Sequence, residues 1–199
     1  MHIKLMETFN KDQVSKLLKK PTKNNTFNVD KQLHDYFYYI KDAEPVERMM
    51  YTDLKYALPN DMLVKTDRMS MLNSLEIRSP FLDHKIVEMA FNIPLQYKII
   101  GTKRKIILKD TFSEFLPNEI LNAKKRGFGI PLAEWFKSEL KELLLSTLSK
   151  ENVESANLVN YSVVSEIIIE HQNGKKNHAN LLWSLVVLHK WYEKFMKSI

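Results

Sequence analysis

Apolar residues recur along most of this chain at helical spacing, and few stretches alternate as a half-buried strand would. DQVSKLLKK, near the N-terminus, is weakly amphipathic, and KPTKNNTFN, with Pro21, reads as a surface loop. VDKQLHDYFYYI, 29–40, has the apolar density of a buried helix, and Glu44-Pro45 opens another with Val46, Met49, Met50, Leu54 and Ala57 on one face. In LPNDMLVKTDRMSMLNSLEIRSPFLD, 58–83, the apolar positions Met62, Leu63, Val64, Met69, Met71, Leu72 and Leu75 fall all round the helical wheel, which predicts an enclosed helix beginning at Pro59. Ser79-Pro80 ends it. Asp83 then caps HKIVEMAF, which Pro94 stops. KRKIILKDTFSEF predicts a basic helix, Pro117 starts a one-turn element, and Pro131 starts a helix burying Leu132, Trp135, Phe136, Leu140, Leu143 and Leu144. Asn160 is placed to cap YSVVSEIIIEHQN, with Gly174 as its stop. The last helix, 177–197, carries Leu181, Leu185, Leu188, Tyr192 and Phe195 on one face and Trp183, Val187 and Trp191 beside it, a wide stripe that predicts core packing.

Composition turns this pattern into a fold class. Four glycines in 199 residues disfavour a strand-and-turn architecture, and 44% hydrophobic content suits a packed core. The expectation is a mainly α, compact multi-helix domain, with 1–29 as an N-terminal segment and loop and 30–199 as the helical body. The absence of cysteine excludes disulfides, thiolate metal sites and a cysteine nucleophile within these residues, and fits a cytoplasmic protein. No apolar run approaches the roughly 20 residues of a membrane helix, and the N-terminus lacks a signal-peptide core. Much of the formal charge of +6 sits between Gly101 and Phe128, where Lys103, Arg104, Lys105, Lys109, Lys124, Lys125 and Arg126 face Asp110, Glu114 and Glu119. Such a patch suits a phosphorylated small molecule or simple solvation. It lacks the interleaved aromatics and motifs of a nucleic-acid surface.

The chemistry-bearing residues concentrate in 58–83. A charge carried into an enclosed helix must be paired or bound, since desolvating an unpaired ion costs several kcal/mol. Asp67, Ser70 and Ser74 share one helical face, which reads as a buried polar seam bonded to neighbouring backbone, with Arg68 or another cation as the partner of Asp67. Glu76 stands where the helix gives way to an extended segment, either exposed for function or bridged to Arg78. Lys105 on its helix reads as a solvated side chain. Lys125 stands beside Gly127 and Gly129, whose presence in so glycine-poor a chain implies a positive φ or a close backbone approach; from a loop its ammonium reaches phosphate as a point charge. The six histidines show no metal-ligand spacing, and there is no glycine-rich phosphate loop.

The block LPNDMLVKTDRMSMLNSLEIRSPFLD, followed by TKRKIILKDTF, LPNEILNAKKRGFGIPLAEWF and LLWSLVVLHKW, resembles the C-terminal half of the synthetase domain of glutamine-hydrolysing asparagine synthetases. The resemblance implies the helical half of an α/β ATP-pyrophosphatase-type (adenine nucleotide α-hydrolase-like) domain. It also implies a reaction in which ATP, with Mg2+, activates aspartate as β-aspartyl-adenylate and ammonia from glutamine displaces AMP. Carried onto this sequence, it makes Glu76 and Lys125 catalytic, the first with the adenylate and the second on phosphate charge. Asn73, Ser74 and Lys105 become nucleotide or phosphate contacts, while Asp67, Arg68, Arg78 and Asp83 are architectural. The family's SGGxDS phosphate loop and glutaminase cysteine are absent from these residues, so the resemblance implies a fragment without turnover alone. Its partners would be the small-molecule substrates and the missing amidotransferase and phosphate-loop portions, with a homodimer left open. A different acceptor carboxylate, on a sugar or peptide, and a non-catalytic helical module are the competing readings.

Overall fold

The computed structural model describes residues 10–20, 29–124, 127 and 129–197. The chain divides into two compact units, a split unit of 1–27 with 127–199 and a central unit of 28–126. Both are mainly helical.

The central unit begins with α2, Val29–Tyr39, which follows α1 (Lys11–Leu17, in the split unit), and continues into α3, Pro45–Thr52. Pro45 occupies the first turn of α3, where its missing N–H costs nothing, and the Glu44 amide donates to the Glu47 carboxylate at 3.3 Å. Arg48 closes the turn between the helices. Its Nε donates to the Ala43 carbonyl at 2.9 Å, a second guanidinium nitrogen donates to the Lys41 carbonyl, and its plane lies over the Phe37 and Tyr38 rings.

From α3 the helix runs without a break through a π-helical stretch, Asp53–Leu63, into α4, Val64–Met71. Pro59 therefore lies inside a helix and not at its start. In the α register proline's ring presses on the carbonyl four residues back, and the wider π winding gives it room, while the missing N–H leaves one hydrogen bond of the helix unmade. The enclosed helix expected here is also corrected. Met69 is 54% exposed and Leu72 76%, and Ser70 is the buried residue of α4. In α2 Leu33 alone is buried, with Tyr39 74% exposed. An all-round apolar pattern marks residues that gain by burial, and within this unit the described residues supply nothing that covers them.

Past α4, Pro80–Leu82 makes a single 3-10 turn and α5 spans His84–Asn92, with the Asp83 carboxylate accepting from the Lys85 amide at 2.9 Å as the N-cap. The expected basic helix starts later than the sequence suggests. Ile99–Ile100 (β1) and Lys103–Arg104 (β2) pair antiparallel through a two-residue turn in which Gly101 takes φ +56°, so Lys103 to Lys105 precede α6, Ile106–Thr111. The one-turn helix α7, Asn118–Leu121, follows Pro117 as expected.

The split unit holds the core. Helices α8 (Leu132–Trp135), α9 (Lys141–Thr147), α10 (Lys150–Ala156), α11 (Tyr161–Gln172) and α12 (Ala179–Phe195) bury Phe136, Leu144, Val153, Val164, Leu182 and Leu185 together. α8 and α9 replace the single helix expected after Pro131. The Ser138 hydroxyl donates back to the Glu134 carbonyl at 2.7 Å and the Leu140 amide reaches the Trp135 carbonyl, which turns the chain before α9 and leaves Leu143 exposed. Asn160 precedes α11 but does not cap it with its side chain. Its amide donates instead to the Lys16 carbonyl at 2.8 Å, tying α1 to this unit beside the Leu18–Val159 bridge. Gly174 ends α11 at φ +69° in a Schellman arrangement, with the Lys175 amide on the Glu170 carbonyl and the Gly174 amide on that of His171. On α12, Leu181, Leu182, Leu185 and Val186 face the core, whereas Trp183, Val187, Trp191 and Phe195 are exposed. The core stripe is thus half as wide as its pattern suggests. Among the described residues no helix is long and apolar enough to cross a membrane.

Candidate functional site

Asn73, Ser74 and Glu76 are positioned by the way α4 stops. The Leu75 amide donates to the Ser70 carbonyl and the Ser74 amide to that of Met71, both at 3.0 Å, the same Schellman closure that Gly174 makes on α11. Here the left-handed position belongs to Ser74, at φ +55°. A residue with a Cβ pays about 1–2 kcal/mol there relative to glycine. Asn73 folds back, its amide donating to the Met69 carbonyl at 2.9 Å.

Glu76 comes two residues after the left-handed Ser74, largely exposed to solvent. Its Oε1 accepts from Arg78 at 2.7 Å from Nε and 2.6 Å from Nη2. The ion pair that the sequence allows is therefore formed. With side chains 68% and 87% exposed, it belongs to the class of surface pairs that contribute about 0–1 kcal/mol, so a ligand can displace Arg78 at little cost. The buried Asp67–Arg68 lock is corrected. Both residues are exposed, and among the described residues no salt bridge joins them. Only Ser70 of the expected polar seam is buried, its hydroxyl on the Asp67 carbonyl at 3.0 Å.

Lys105 stands at the N-cap of α6 with φ +57°, not on a helix face. Ser74 and Lys105 are two of the three non-glycine residues with positive φ among those described; the third, Asn157, is of the type that tolerates it. Such strain concentrates at ligand sites, and nothing in the periodicity of the sequence reveals it. Among the described residues no hydrogen bond or ion pair joins Lys105 to Glu76. Lys125, with Arg126 and Phe128, lies outside the described residues. A Cβ at Gly127 or Gly129 would meet nothing within 4 Å, so the close backbone approach expected there is not made to other described residues. No group of three or more potential metal ligands occurs among the described residues.

Sequence reasoning passed over the most perturbed titratable groups, which lie in the split unit. The Glu170 carboxylate accepts from His178 at 2.8 Å and Lys175 at 2.9 Å, and these bonds hold its pKa well below the usual carboxylate range, at about 2. His171 is buried beside it. Its Nδ1 accepts from the His178 amide at 3.1 Å, so Nε2 carries the proton toward the Ala133 carbonyl at 3.1 Å, and burial pushes the imidazole pKa down. Gln172 adds a 2.7 Å bond to the Phe136 carbonyl. The end of α11 thereby clamps α8. A histidine next to a glutamate near a glycine stop is the sequence signal, and it is a weak one.

Comparison with known proteins decides the family: residues 3–193 match the family described as asparagine synthase. The chain belongs to the asparagine synthase family. It is 33% identical over 155 residues to a putative glutamine-hydrolysing asparagine synthetase of Mycobacterium tuberculosis, covering 77% of this chain and 24% of that protein. It is 27% identical over 157 residues to asparagine synthetase 1 of Bacillus subtilis, covering 79% and 24%. Amidase chyE of Penicillium rubens is 28% identical over 135 residues, covering 64% and 20%. The chain spans about a quarter of the length of the synthetases it matches. No solved structure matches it.

Proposed function

We propose that this chain forms one wall of the synthetase site of an ATP-dependent, glutamine-hydrolysing asparagine synthetase, the helical half of an ATP-pyrophosphatase-type domain. The observation that carries the reading is the turn after α4. A family-matching segment there holds a strained Ser74 and an exposed Glu76 tied, among the described residues, by a weak surface ion pair.

Aspartate and ATP are the substrates, and Glu76 is the base that takes a proton from ammonia as it attacks β-aspartyl-AMP. A positioned base of this kind contributes roughly 10²–10⁴-fold. Lys125 supplies positive charge to the reacting phosphate and pyrophosphate, Asn73 and Ser74 offer backbone beside the nucleotide, and Lys105 is a further phosphate contact. Mg2+ does not fit these residues as a protein-held ion, because Glu76 is the lone carboxylate at the turn and is paired with Arg78; no step is assigned to it. A cytoplasmic setting goes with this chemistry. The chain lacks the SGGxDS element and a glutaminase cysteine, so turnover requires a polypeptide that supplies them.

The test is aspartate-dependent ATP/pyrophosphate exchange. The chain alone gives none, and exchange by it would refute the dependence on missing portions. In a polypeptide carrying the SGGxDS element, Glu76→Gln and Lys125→Ala each abolish asparagine formation and leave glutaminase activity; retained synthesis refutes the role given to that residue. The amidase-named relative favours a second reading, in which the adenylating chemistry stays and the acceptor carboxylate differs. Failure of aspartate, with exchange supported by another carboxylate, would select it.

A further inference from the structure

Two polar atoms of the split unit are buried without a partner in the same place. His189, on the inner face of α12 and 5% exposed, has its Nδ1 2.9 Å from the Leu185 carbonyl. A carbonyl only accepts, so Nδ1 carries the proton and Nε2 presents a lone pair. Among the described residues nothing donates to it. Thr147, the last residue of α9 and also 5% exposed, has an equally unpartnered hydroxyl. Leaving one such buried group unmet costs about 1–3 kcal/mol. Both side chains line one pocket of about 30 Å³, together with Asn152 and Ser155 of α10.

We propose that this pocket is a structural water site, in which one ordered water donates to His189 Nε2 and shares a hydrogen bond with Thr147 Oγ1. The occupant must be a hydrogen-bond donor, because Nε2 can only accept. The space, about 30 Å³, exceeds the roughly 10–15 Å³ that one water requires. A metal ion does not suit the site. Glu193, the acidic residue lining it, is paired with Lys190 at 3.0 Å, and no cluster of three ligands occurs among the described residues. The bridge would fasten the end of α9 to α12 by a polar link that the apolar pattern of neither helix contains.

A crystal structure of the chain should show a water about 2.7–3.2 Å from both atoms. A dry pocket, or a Thr147 hydroxyl donating directly to His189, overturns the proposal. Stability gives an independent reading through its sign. With the water present, Thr147→Val removes a hydrogen bond and lowers the folding equilibrium constant roughly three- to tenfold, while Thr147→Ser keeps the hydrogen bond and loses only the buried methyl. In a dry pocket the same valine removes an unmet hydroxyl, so an unchanged or raised constant also overturns the proposal.

Discussion

The split unit and the central unit are built from similar amphipathic helices, yet only one turns its apolar faces into a core. In the split unit Phe136, Leu144, Val153, Val164 and Leu182 are fully buried. In the central unit Leu33 is the buried apolar side chain among the described residues, and Met69, Met71, Leu72 and Leu75 of the family-matching block stand in solvent. Periodicity registers which residues gain from burial; whether a partner surface exists to provide it is a separate fact. The same division runs through the electrostatics. Glu170, held by two cations, and the buried His171 sit in the packed unit, while the Glu76–Arg78 pair sits in water in the open one.

The sharpest way to break this comparison is to remove packing from each unit. Leu182→Ala, at a fully buried position, should cost about 2–5 kcal/mol in urea unfolding. Leu72→Ala should change stability by no more than about 0.5 kcal/mol. Comparable losses at the two sites would show that the central face is covered in solution.

An acid pH series probes the packed unit through His171 and Glu170. His171 has a folded pKa below its ordinary value of about 6.5, so between the two values the unfolded chain binds the extra proton. Stability is therefore full above about pH 6.5 and declines as pH falls toward the folded value, by at most about 1.4 kcal/mol per pH unit. Lys137 and His178 reinforce the neutral form and Glu134 opposes it. Glu170 adds a second loss at lower pH, since its contribution is complete above the ordinary carboxylate range and disappears toward about pH 2. Urea midpoints at neutral and mildly acid pH measure the first step, and His171→Gln should flatten it.

The two Schellman turns give a matched pair of smaller effects. Ser74→Gly relieves a left-handed serine in the central unit and should raise stability by about 1 kcal/mol, whereas Gly174→Ala in the split unit should lower it by about as much. Thermal melts of both variants would show whether the Ser74 conformation is strained. The smallest effect belongs to Glu76→Gln, which should shift stability by no more than about 1 kcal/mol, the value of an exposed ion pair. A larger loss would make Glu76 a structural residue.

Several features follow from sequence alone because their causes are local. Asp83 caps α5, Glu44-Pro45 opens α3, Pro117 precedes a one-turn helix, and Gly174 takes the left-handed position after α11; each depends on a few neighbouring atoms and backbone angles. The motif block that marks the family is legible for the same reason, being a string of residue types. Tertiary structure decides what depends on distant atoms. Pro59 lies within a helix because π winding continues through it, Asn160 holds α1 in place of capping α11, and Lys105 ends in a left-handed cap where a hairpin meets α6. Burial is the plainest case. The same apolar repeat lines the core at Leu182 and Leu185 and faces water at Trp183 and Val187, because hydrophobic free energy depends on the area that other parts of the molecule remove from solvent.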